Sequence, residues 1–175
     1  MRAIPTVLPG RLLIGRGRWA DYRDLERFHY RPGKPATCAL VGVIRYVSVG
    51  LHSKGARMVA AAVLSYPAPS CSPRRAALGI TGTRDDELHF ANRHIRTISR
   101  VIVHPQFRAL GLSSLLVRWL CKHGRTRYVE ALAVMGRAHP FFERAGMKRI
   151  DPQSEDAPVY FLFDRRQPMS GKGEL

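Results

Sequence analysis

The most regular hydrophobic pattern in the chain lies between residues 112 and 123. Leu112, Leu115, Leu116, Trp119 and Leu120 recur at i, i+3, i+4, i+7 and i+8, the spacing of one face of an α-helix. Ser113 and Ser114 suit its first turn. Lys122 and His123 suit the negative end of its dipole, and Gly124 suits the position just past its end. RTISRVIV (96–103) precedes this helix and RYVEALAVM (127–135) follows it, both with the composition of strands. Strand, helix and strand in that order predict a right-handed crossover between parallel strands.

Upstream, ATCALVGVIRYVSV (36–49) and ARMVAAAVLSY (56–66) flank GLHSKG and predict a hairpin of two long buried strands. WADYRDLERFHY (19–30) places Trp19, Tyr22, Leu25 or Glu26, and His29 at helical spacing, and RPGKP stops that helix. Residues 1–17, with two prolines and three glycines, predict an extended arm. PAPSCSPRR reads as a loop, and ITGTRDDELHFANRH (80–94) lacks a clear period and is expected to hold one short helix. AHPFFERAG predicts a short helix with Pro140 in its first turn and Gly146 as its stop. VYFLF (159–163) is a last strand. The order predicts one α/β domain over residues 18–165, a mixed, mostly antiparallel sheet flanked by helices, with a flexible tail at 166–175.

Composition sharpens this picture. The chain has 175 residues, of which 45% are hydrophobic, enough for one core. Lys+Arg number 29 against 13 Asp+Glu, a formal net charge of +16. A domain so basic attracts polyanions, nucleic acid first. The basic residues are scattered rather than blocked, which argues against a disordered nucleic-acid tail. Cys38, Cys71 and Cys121 are odd in number and far apart, so neither a CxxC site nor a disulfide framework is expected. Their pattern fits a reducing cytoplasm. No metal site is expected. No apolar run approaches the ~20 residues of a membrane span.

The turn between strand and helix, RALGLSS (108–114), carries the candidate chemistry. A helix N-terminus offers unpaired N–H groups and a partial positive charge. Gly111 lets a ligand approach the backbone, and Arg108 adds a charge-assisted bond. Such a turn suits a phosphate or diphosphate. It is neither a P-loop nor GxGxxG, because no Gly-Lys-Ser/Thr and no second glycine follow.

VIVHPQFRALGLSSLLV, with AHPFFERAGM downstream, resembles the diphosphate-binding motif and following helix of the GNAT superfamily of N-acetyltransferases. Their pattern is a strand, Arg/Gln-x-x-Gly-x-Gly/Ala, then a helix. Arg108 and Gly111 match, and Ser113 replaces the second small residue. The resemblance covers residues 96–150. It implies that Arg108, Ala109, Leu110, Gly111, Leu112, Ser113 and Ser114 hold the diphosphate of acetyl-CoA or another acyl-CoA. The pantetheine arm would then run along Val101 and Val103. Two departures follow. The family's usual general-acid tyrosine falls at Phe142, and the strand 96–103 lacks the glutamate often used as base.

The remaining candidates for catalysis are therefore Glu130, in an apolar strand, His139, which opens the short helix, Ser99, mid-strand beside Arg100, and His29 and Tyr30, after the first helix. An isolated carboxylate in an apolar strand is costly unless paired or functional, so Glu130 is a candidate base or an arginine's partner. Tyr30 is the candidate acid. HYRPGKPA with ISRVIVHPQFRALGLSSLLV also resembles GNAT-type domains of phage Mom-type DNA-modifying proteins and of domains fused to ABC-type ATPases. The leading expectation is a CoA-dependent N-acyltransferase acting on an amine. The alternatives are a nucleic-acid base modifier on the same fold, and an inactive relative that binds nucleic acid or another partner.

Overall fold

The computed structural model describes residues 2–4, 10–29, 33–48 and 55–167. They form an eight-stranded sheet of order β1-β2-β3-β4-β5-β6-β8-β7. The strands are β1 (Arg2–Ile4), β2 (Gly10–Gly17), β3 (Leu40–Ser48), β4 (Ala56–Ser65), β5 (Ile95–Val103), β6 (Tyr128–Ala133), β7 (Lys148–Ile150) and β8 (Val159–Asp164). The helices are α1 (Trp19–Glu26), α2 (Ser72–Leu78), α3 (Arg84–His94), α4 (Leu112–His123) and α5 (Phe141–Arg144). All neighbouring strands are antiparallel except β5 and β6, which are parallel and joined through α4. The fold is therefore the mixed, mostly antiparallel α/β sheet that the sequence predicts.

Side-chain alternation sorts the sheet's two faces. Ala60, Ala62 and Leu64 of β4 pack toward α4, while Ala61 and Val63 pack toward α1. Helix α4 buries Leu112, Leu116, Val117, Leu120 and Cys121, so the predicted stripe is the buried face, with Leu115 and Trp119 at its margin. Each fully buried leucine contributes roughly 1.5–3 kcal/mol. Gly42 of β3 lets this helix lie close. A Cβ there would stand 3.1 Å from Leu120 and Trp119. On the other face, Tyr22 and Leu25 of α1 are fully covered.

Four local expectations need correction. Residues 10–17, read as part of an arm, are extended but pair with β3 along their whole length, burying Leu12 and Ile14. The segment PAPSCSPRR, read as a loop, runs into α2 from Ser72 onward, and residues 80–94 contain the eleven-residue α3, started by a capping box between Thr83 and Asp86. Gly124 is right-handed at φ −68°, and the left-handed residue is Arg125 at φ 60°. Gly124 is instead a packing glycine, since a Cβ would meet Leu64 at 3.0 Å. Gly146, at φ 93°, does take the left-handed position after α5. The predicted tail beyond residue 167 lies outside the described residues.

Candidate active site

The site begins where two strands part. β5 and β6 pair only at Ile95–Tyr128, Arg96–Val129 and Thr97–Glu130. Beyond Thr97, β5 keeps its pairing with β4, and beyond Glu130, β6 keeps its pairing with β8. The gap between them opens into a cavity of about 570 Å³. β5 is also irregular here. Val63 faces Arg100 and Leu64 faces Ile98, which leaves Ser99 as the extra residue of a bulge. Its Oγ lies 2.7 Å from Ser65 Oγ.

The loop between β5 and α4 forms one wall. A 3-10 turn at Pro105–Phe107 leads into two left-handed residues, Ala109 at φ 65° and Gly111 at φ 72°. Alternating handedness makes successive N–H groups converge on one concave point, an anion-binding nest. Gly111 is the N-cap of α4, and no side chain caps the helix. The space where a Cβ would stand at Gly111 has no atom within 4 Å. The first-turn amides of α4 have no intrahelical acceptor, and residues 111–114 line the cavity. Arg108 lies beside them, exposed. This is a good fit for a diphosphate.

Most predicted site residues converge on this cavity. Val101, Val103, Arg108, Ala109, Gly111, Leu112, Ser113 and Ser114 line it, as do Ser99, His29 and His139. Leu110 does not, being 47% exposed at the outside of the turn. Tyr30 lies outside the described residues. Phe142 sits in the core and stacks on Phe161 with ring centroids 4.7 Å apart, so this position serves packing. Among the described residues, no tyrosine lines the cavity.

Glu130 does not line the cavity either, and its surroundings correct the reading as a base. Arg74 Nε and Nη2 donate to its two oxygens at 3.0 and 2.8 Å. The Thr97 hydroxyl donates at 2.7 Å and the Tyr160 hydroxyl at 2.9 Å. A carboxylate so occupied, and 1% exposed, offers no lone pair to a substrate. Its partner, Arg74, comes from α2, a helix that sequence reasoning missed.

Sequence reasoning also missed a cationic and aromatic cluster at the cavity mouth. Arg57 Nη2 lies 3.2 Å from His104 Nε2. The His104 ring meets Phe28 edge-on at 4.9 Å. The guanidinium of Arg27 lies over the Phe28 ring at 4.8 Å, and that of Arg57 over Phe107 at 5.7 Å. Burial, then Arg57, Arg27 and Arg108, hold His104 below the ordinary histidine value. Deeper in, Arg100 bonds the carbonyls of Ser99 and Gly33, and its buried Nε has no partner. These residues are separated in sequence, so only the basic composition hinted at them. Among the described residues, no group of His, Cys, Asp and Glu is arranged to hold a metal ion. Nor is any helix long and apolar enough to cross a membrane.

Comparison with known proteins shows what these features are similar to. Residues 73–147 match the model of the acetyltransferase (GNAT) family. No curated protein matches the sequence. Among solved structures, the chain is similar to the GNAT-family N-acetyltransferase YhbS of Escherichia coli in complex with CoA. The identity is 12% and the TM-score 0.55, over 92% of this chain and 85% of that one. It is similar to Arabidopsis thaliana NAA60 in complex with acetyl-CoA at 12% identity and TM-score 0.55, over 87% of this chain and 97% of that one. An agmatine N-acetyltransferase aligns at 16% identity and TM-score 0.52, over 87% of this chain and 99% of that one. At such identities the structures speak for the fold alone. The match includes α4 and the turn before it but assigns no branch. With the parted parallel strands and the uncapped turn, it makes residues 73–147 similar to the acetyltransferase (GNAT) family.

Proposed function

We propose that the protein is a CoA-dependent N-acyltransferase. The observation that carries this reading is the turn at Ala109 and Gly111, open and left-handed, set at the head of the gap between β5 and β6. Acyl-CoA, when bound, supplies an acyl group activated as a thioester.

The amides of residues 109–114 and the Arg108 guanidinium hold the diphosphate. The edge of β5 from Ile98 to Val103, released from β6, offers backbone donors and acceptors to the amide-bearing arm. The bulge at Ser99 fixes where that edge turns, and the contact between Ser99 and Ser65 holds it there. A neutral amine needs a base to take its proton, and His29 and His139 both line the cavity for that task. A proton for the departing thiolate comes from Tyr30 or from water, since Phe142 carries none. Positioning supplies most of the acceleration, and proton transfer adds roughly 10²–10⁴-fold.

Thiol release from acetyl-CoA, followed against a panel of amines, tests the reading. Amine-dependent release is expected, and His139→Ala should lower kcat by roughly 10- to 100-fold with KM for acetyl-CoA little changed. Phe142 gives weight to a second reading, a protein that binds CoA without catalysis. Acetyl-CoA binding with no release for any amine would favour it.

A further inference from the structure

From the arginines at the cavity mouth we infer that this surface binds the phosphate backbone of a single nucleic-acid strand, placing it at the acceptor side of the cavity. Arg27, Phe28, Arg57, His104 and Phe107 form one continuous run of contacts, and Arg108 follows Phe107 in the chain. It links the end of α1, the start of β4 and the turn before α4. Arg27, Arg57 and Arg108 are exposed. Among the described residues, no carboxylate lies within ion-pair distance of these three or of Arg100. Other arginines are neutralised: Arg45 by Asp21, Arg74 by Glu87 and Glu130, Arg127 by Asp164, Arg149 by Asp151.

Clustering cations this way repels the fold against itself, and an anion relieves that repulsion. The arrangement suits a chain of anions rather than a single one. Arg108 and Arg100 line the cavity, and Arg27 and Arg57 lie over Phe28 and Phe107, which also line it. Phe28 lies among them, half-buried and lining the cavity, with one face under Arg27. Cations that follow a backbone beside an aromatic ring on which a base stacks are the two components of single-strand recognition. His104 adds an imidazole to the same surface, its Nε2 3.2 Å from Arg57 Nη2. The net charge of +16 supplies the long-range attraction.

The binding surface stands on these contacts alone. Its use as an acceptor site rests on the acyltransferase reading. The test uses fluorescein-labelled single-stranded dodecanucleotides, one DNA and one RNA, with anisotropy measured from 50 to 300 mM salt. With CoA absent and Arg108 therefore open, three phosphate contacts should give a slope of about −2 in log affinity against log salt. Arg27→Glu with Arg57→Glu should weaken binding at least about tenfold and flatten the slope by about 1.4. Arg84→Glu with Arg93→Glu makes the same change of charge on exposed residues of α3 and should weaken it far less. Equal loss in both pairs would assign binding to net charge and overturn the inference, as would absence of binding. Melting temperatures confirm that each pair is folded, and Arg57→Gln, which keeps the stem, should show a smaller loss in the same direction.

Acetyl-CoA titration of the Arg27/Arg57 pair should match wild type. Loss there would assign these cations to the cofactor and also overturn the inference. If acetyl-CoA binds no variant while nucleic acid binds as described, the acyltransferase reading fails and the surface stands. The stronger of the DNA and RNA arms identifies the sugar of the natural strand.

Discussion

Arg74 and Glu130 form a two-pronged ion pair that water does not reach, with side chains 0% and 1% exposed. Arg74 is on α2, and Glu130 is the β6 residue at which the two parallel strands part. Burial alone would weaken the arginine's charge, but its bonds to Glu130 more than offset that. Burial, and then the Glu130 charge, push the Tyr160 phenol well above its ordinary value, so Tyr160 stays a donor. The pair thus clamps the helices inserted before β5 onto the point where the cavity begins.

Removing one partner of such a pair leaves a charge buried and alone, at a cost of about 3–5 kcal/mol. Glu130→Ala should lose that much stability in urea unfolding. Glu130→Gln keeps the side-chain shape and one acceptor oxygen, and Arg74 keeps Glu87, so it should remain folded at a smaller cost than Glu130→Ala. Its pH profile for thiol release should be unshifted and its rate within a few-fold of wild type. A large kcat loss in a fully stable Glu130→Gln protein would return Glu130 to the chemistry.

His104 predicts a pH dependence of stability. Its folded-state value is lowered by burial and three arginines, so the unfolded chain binds the proton more readily. The contribution is complete above the unfolded histidine value, near 6.5, and is lost as pH falls through the folded one. Urea unfolding at pH 7.5 and 5.5 should show a smaller acid penalty in His104→Gln than in wild type. An equal penalty would mean other groups carry the acid sensitivity.

The thiols should separate by burial. Burial pushes Cys121 up to about 12 and raises Cys71 and Cys38 as well, but of the three only Cys38 is exposed to reagent. Thiolate is the reactive form, so an aromatic disulfide reagent should titrate one thiol in native protein and three after denaturation. Rapid native labelling of Cys121 would contradict the packing of α4.

What the sequence made legible follows from which forces are local. The stripe of α4, the hairpin β3–β4 and the stop at Gly146 are set by periodicity and by backbone handedness, and all three could be read directly. So could the turn at Arg108–Ser114, because handedness and helix start fall on adjacent residues. Helices α2 and α3 could not. The buried positions of α3 are Glu87 and Ala91, and that of α2 is Arg74. Buried charge has no hydrophobic signature, and the pairing that makes it tolerable joins residues 56 positions apart. Glu130 was ambiguous for the same reason. The cluster at Arg27, Arg57 and His104 is assembled from three elements and exists only in the fold. Residues 10–17 do carry a local strand signal: buried Leu12 and Ile14 flank the less buried Leu13, as in a strand with one buried face.

Isothermal titration of nuclease-treated protein with acetyl-CoA tests the central claim most directly. It should be run beside Gly111→Glu, which places a carboxylate in the open space before α4 and in a left-handed backbone position. Arg108→Ala, which leaves the backbone unstrained, serves as companion. Saturable micromolar binding by wild type, lost in Gly111→Glu and weakened in Arg108→Ala, with all three proteins folded by circular dichroism, is the predicted result. No binding by wild type, or binding that survives Gly111→Glu unchanged, would contradict the assignment of this turn as the diphosphate site.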